Sequence, residues 1–147
     1  MIERAVTVAI AVSSLLLFCY WFRYNCLLIL NAATPRDYAT SVAQAHQLGF
    51  QVAQVQLSNA AAELGGLKDM LDNDYAVLTR LMNRADDAQG GIEQRMLAIH
   101  YFLAAVAYSA GCGTSTSAAR TALHEMSMVV AHYASFVGEA AASRVAA

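Results

Sequence analysis

The stretch Cys19–Leu30, CYWFRYNCLLIL, decides how the chain is divided. Upstream, Ala5–Phe22 reads AVTVAIAVSSLLLFCYWF, eighteen consecutive residues without a charge. As a helix rising about 1.5 Å per residue it covers about 27 Å, close to the hydrocarbon thickness of a bilayer. Arg23 and Asn25 then interrupt an apolar run that otherwise extends to Ala33. Tyr20, Trp21, Phe22 and Tyr24 bracket Arg23. Amphipathic rings settle at the headgroup layer while a guanidinium reaches for phosphate, so these five residues are expected at the membrane interface. The hydrocarbon segment should therefore end near Arg23. Cys26–Leu30 becomes a juxtamembrane arm that either lies in the interface or continues the helix. A cleaved signal peptide fits less well, because the apolar run is long for one and the nearest small-residue pattern, Asn31-Ala32-Ala33, lies well beyond it.

Trp21–Leu30, WFRYNCLLIL, resembles a Trp-Phe-Arg-Tyr-x-Cys-Leu-Leu-Ile-Leu segment of small bacterial single-pass membrane proteins. That resemblance implies a bacterial single-pass anchor and brings no activity with it. Arg4 precedes the span whereas Arg23 and Arg36 follow it, so the positive-inside rule places the C-terminal domain in the cytoplasm.

Composition agrees with a partly lipid-embedded chain. Of 147 residues, 58% are hydrophobic and 14% charged, more apolar than an ordinary soluble domain. Residues 37–147 hold six Lys and Arg against ten Asp and Glu, a net −4, so no basic face exists to displace phosphate counterions and no nucleic-acid partner is expected. Cys19, Cys26 and Cys112 form neither a C-x-x-C pair nor a repeated spacing, which predicts unpaired thiols.

Beyond the anchor, four helical segments are expected. Thr34-Pro35-Arg36-Asp37 has the form of a helix start, with Thr34 as N-cap, Pro35 at the first helical position and Asp37 completing a capping box. Gly65-Gly66 is its natural stop. Between Asp37 and Glu63 no charged residue occurs, and on a single helix Gln44, Gln47, Gln51 and Gln54 share one stripe. The second helix covers Leu67–Ala85 with Leu67, Leu71, Leu78 and Leu81 inward. Asp69–Asp74 lacks the glycine and terminal glutamate of a calcium loop. The third, Ile92–Ala110, carries an a/d seam of Ile92, Met96, Ile99, Leu103, Val106 and Ala110. Met96–Gly113 is also uncharged, yet His100, Tyr101 and several alanines dilute it as a second span. Thr114–Ser117 caps a fourth helix running to about Arg144, with Ala119, Leu123, Met126, Val130, Val137 and Ala141 as its seam. Short glycine-rich turns between such segments predict an antiparallel four-helix bundle at 34–147, following an anchor and arm at 1–33.

The ligand spacings of helical-bundle enzymes are missing. No Glu-x-x-His exists for a di-iron centre, and His124-Glu125 does not continue as H-E-x-x-H. No C-x-x-C-H, phosphate-binding glycine loop or nucleophile beside a base is present, so neither catalysis nor a cofactor or metal is expected. Glu125, His132 and Glu139 recur every seven residues, which spaces them about 10 Å apart along the helix, too far for one ion to bind all three. With Phe136 on the same side they read as a solvated or partner-facing surface. The sequence thus predicts a membrane-anchored helical interaction module, contacting other proteins or a second copy through the glutamine stripe and the face of Glu125, His132, Phe136 and Glu139. An extracytoplasmic sensory bundle and a metal- or haem-binding bundle using His100, His124 or His132 are the alternatives.

Overall fold

A computed structural model of the chain describes residues 1–32, 38–59, 63–84 and 91–146. These residues are helical, with no strand among them, and form α1 (Ile2–Asn31), α2 (Ala39–His46), α3 (Phe50–Leu57), α4 (Leu64–Arg84), α5 (Ile92–Gly111) and α6 (Thr116–Ala146). The chain separates into two compact units, Met1–Ala32 and Ala33–Ala147. The Thr34–Asp37 capping box and the Asp86–Gly90 turn lie outside the described residues.

In the first unit, α1 runs unbroken through Arg23 and on to Asn31, so of the two alternatives for Cys26–Leu30 the arm continues the helix. Thirty residues make it about 45 Å long, the span of a bilayer with its headgroups. It is the one helix, among the described residues, long and apolar enough to cross a membrane. Two of its polar side chains turn back on their own helix. Thr7 donates to the Glu3 carbonyl at 2.8 Å, and Asn25 Nδ2 donates to the Trp21 carbonyl at 2.8 Å. Such internal bonds remove the cost of a polar group in apolar surroundings.

The second unit is organised around α6, which packs against α2, α3, α4 and α5. From Met126 to Gly138 it carries no Asp, Glu, Lys or Arg. A helix apolar on all sides belongs in an interior, and Met126, Ser127, Val129, Val130, Tyr133 and Ala134 are all buried. Gly138 lets α2 cross closely, because a Cβ there would overlap Tyr38 and press on Val42.

The expected first helix is broken. Gln47 ends α2 in the left-handed conformation (φ 54°, ψ 44°), and Gly49 opens α3. The cause is tertiary. Asp74 of α4 accepts a hydrogen bond from the Gly49 N–H at 2.8 Å, supplying from another element the carboxylate cap that α3 lacks locally. A Cβ at Gly49 would overlap the Met70 side chain, so glycine is what permits the approach. Arg120 of α6 donates to the Leu57 carbonyl at the other end of α3, complementing the helix dipole. Gly65 and Gly66 do not stop a helix. They sit in the first turn of α4, where missing side chains cost little and the space beside them is open. From there Leu67, Leu71, Asp74 and Leu78 line the buried face at the spacing expected of a half-buried helix.

Candidate interaction surface

Three tyrosines clamp α4, α5 and α6 together. Tyr75 stacks on Tyr101 with the rings nearly parallel and their centres 3.9 Å apart, and the Tyr133 ring lies 5.6 Å from that of Tyr75. Their polar ends are used as well. Tyr101 donates to Asp72 Oδ1 at 2.7 Å and Tyr133 to the Gln94 carbonyl at 2.9 Å. Burial, reinforced by the Asp72 hydrogen bond, pushes the Tyr101 hydroxyl far above its ordinary range, so it remains a donor. Beside this cluster His100 Nε2 and Glu125 Oε2 lie 3.4 Å apart, both side chains buried between α5 and α6.

These contacts fix which way α5 faces. Leu97, His100, Tyr101, Ala104, Tyr108 and Gly111 are buried along one face of the helix. The a/d seam read from the sequence lies about 200° round the helix from Leu97 and, apart from half-buried Met96, points outward. Ile92, Ile99, Phe102, Leu103 and Val106 are 78%, 51%, 66%, 48% and 51% exposed. The expectation that this seam packs in the bundle is corrected. An aromatic and polar set occupies the interior because its hydroxyls, imidazole and carboxylate find partners there, and the aliphatic heptad is left over.

A scattered exposed leucine has no meaning by itself, but a contiguous apolar patch on a protein surface marks a contact. This one extends over several turns of one helix, is free of charge after Arg95, and keeps the 3.5-residue repeat of a helix-pairing seam.

The surfaces expected from sequence fare differently. Gln44 and Gln47 are exposed, Gln51 and Gln54 half-buried, but the break at Gln47–Gly49 places them on two separate helices, so they form no single stripe. Gln51 Nε2 donates to Thr40 Oγ1 at 3.1 Å and so joins α3 to α2. Glu125 leaves the proposed outer line altogether, since α6 is covered on that side and the carboxylate faces His100. His132 and Phe136 are half-buried and Glu139 is exposed. Burial pushes the His132 imidazole below its ordinary value, partly opposed by the Glu93 carboxylate. Tyr20, Trp21 and Tyr24 are exposed along α1, with Phe22 half-buried and Phe18 stacked against Phe22 and tilted against Trp21. Sequence reading missed Tyr75, Tyr133 and Phe102. The first two carry no pattern that separates them from surface tyrosines, whereas Phe102 sits beside the heptad and would have marked its outer flank.

No cluster of three or more His, Cys, Asp or Glu side chains able to hold a metal occurs among the described residues. Comparison of the chain with protein-family models, curated proteins and solved structures returns no match.

Proposed function

We propose that the chain is a membrane-anchored docking module that acts by binding other proteins and not by catalysis. The observation that carries this reading is the outward apolar heptad of α5. It is a preformed helix face whose neighbours in its own fold lie on the opposite side, and a second helix laid along it would bury side chains that water now covers. α1 supports the anchoring half. Leaving Val6, Ile10, Leu15, Leu17 and Phe18 in water would forgo about 1.5 to 3 kcal/mol for each such side chain, which lipid supplies.

In this reading α2 and α3 together stand for the first member of an antiparallel four-element bundle, with α4, α5 and α6 as the others. The anchor spans a membrane once, and the arginine count around it directs the bundle to the cytoplasm. Confinement to a membrane raises the effective concentration of a membrane-bound partner, so an apolar seam of three turns suffices for a contact that would be weak between freely diffusing chains.

The test is gentle detergent extraction of the full chain followed by sizing of the particle, wild type against Ile99→Glu/Phe102→Glu. Both side chains point to solvent, so the fold tolerates the change. The expected result is a large wild-type particle reduced to the single chain by the variant, with helical content and thermal unfolding unchanged. Equal sizes would remove the basis for the docking face.

A further inference from the structure

Where α2, α4 and α6 end, a cleft of about 250 Å³ opens between them. Its floor is apolar, built from Leu81 and Met82 of α4 and Phe136 of α6 with adjoining alanines and a valine. Its other lining side chains are His46, Arg84 and Arg144, each in the last turn of its own helix. A basic residue in a last turn is favoured by the helix dipole, and one such residue would need no other explanation. Three helices delivering theirs to one cleft is a different matter. Among the described residues no carboxylate lines the cleft, and Glu139, the one acid of α6 beyond Glu125, sits about 130° round the helix from the lining face. Two guanidinium groups beside an apolar floor, with no acid among the described lining residues, match one chemistry. An anionic head group pairs with planar guanidinium forks while an attached chain covers the hydrocarbon.

We propose that this cleft binds an anionic amphiphile, a carboxylate or phosphate head carrying an acyl chain. Arg84 and Arg144 hold the head, His46 adds a ring-nitrogen hydrogen bond, and the first methylenes of the chain lie on Leu81, Met82 and Phe136. The volume is below that of a pocket for a drug-sized ligand, so it takes the head and the beginning of the chain, with the remainder running out of the open side. Half-buried Phe136, which the sequence places on a partner-facing surface, is on this account part of a ligand floor. The inference is independent of the α5 docking face, which lies on another helix.

The experiment uses the full chain in phosphatidylcholine nanodiscs with methyl-labelled methionine, the Met82 signal being assigned from a Met82→Leu variant. Dodecanoate, dodecanol and inorganic phosphate are titrated separately, and a parallel sample replaces part of the phosphatidylcholine with phosphatidylglycerol. A saturable shift of Met82 with dodecanoate identifies a free fatty acid as a source, and one in the phosphatidylglycerol discs identifies a lipid head group. Either supports the proposal when dodecanol and phosphate alone give none. Arg84→Gln/Arg144→Gln should weaken the response about tenfold or more, while the chain stays folded with only the small fall in thermal midpoint expected from losing two exposed helix-end charges. No saturable shift in either amphiphile arm overturns it. So does an equal response to dodecanol or to phosphate alone, or an affinity that the double arginine variant leaves as it was.

Discussion

Asp74 and Gly49, twenty-five residues apart, are joined by a hydrogen bond of 2.8 Å from the glycine N–H to the aspartate carboxylate. This bond explains why twenty-five uncharged residues that read as one helix fold as two. A helix start satisfied by a remote carboxylate is as good as one capped locally, and it fastens α3 to α4 in addition. Replacing Asp74 by Ala is expected to cost about 1 to 2 kcal/mol of stability and to expose the α3 amides to hydrogen exchange before the rest of the domain. Asp74→Asn keeps one acceptor. Desolvation raises the Asp74 pKa above 3.8, against the pull of the Gly49 and Phe50 amides, so the protonated group's contribution is complete below 3.8 and is lost as pH rises through the folded value. The asparagine variant should therefore remain within about 1 kcal/mol of wild type at neutral pH, and a loss as large as that of alanine would contradict the capping account.

His132 sets a pH dependence of the opposite kind. Its folded pKa lies below the ordinary 6.5, mainly through burial, so the fold prefers the neutral ring. Its contribution is complete above pH 6.5 and is lost as pH falls through that value toward the depressed folded one. Thermal unfolding midpoints should decline on acidification from pH 7 to 5, and His132→Gln should flatten that decline. An identical profile in the variant would assign the pH sensitivity elsewhere.

The tyrosine clamp is expected to hold α4, α5 and α6 in register. Tyr75→Ala removes the ring shared by both ring contacts and should cost about 3 to 5 kcal/mol in denaturant unfolding, whereas Tyr101→Phe keeps the stack and loses only the bond to Asp72, about 1.5 to 3 kcal/mol. The ordering of these two losses is the check. A larger effect from Tyr101→Phe would make the hydrogen bond, not the stacking, the principal contact.

For the buried His100 and Glu125, Glu125→Ala should destabilise by about 3 kcal/mol by stripping a buried polar group of its neighbour. His100→Leu/Glu125→Met, which removes both polar groups and keeps the volume, should restore most of that loss. A double variant as unstable as the single one would show that each residue serves a separate contact.

Helix existence was legible in the chain because its apolar periodicity and glycine-rich turns are local signals, and α4, α5 and α6 follow the expected ranges within a few residues. The break at Gln47 was not, since its cause is a carboxylate on another helix. Orientation was harder still. α5 has two candidate inner faces about 200° apart, one aliphatic and one of His100, Tyr101 and Tyr108, and hydropathy alone selects the wrong one. The polar face goes inward only because Asp72, Tyr75 and Glu125 wait there. For α6 the usable signal was the uncharged run from Met126 to Gly138, which marks a helix buried or half-buried along its length and argues against a solvated line through His132.

The most direct test of the docking account is a photo-crosslinking residue placed at Phe102 in the full chain in its native membrane, with Asn73, exposed on α4, as the control position. The account predicts a discrete protein adduct from position 102, abolished by Ile99→Glu, and none from position 73. Adducts with lipid alone at position 102, or the same products from both positions, would contradict it.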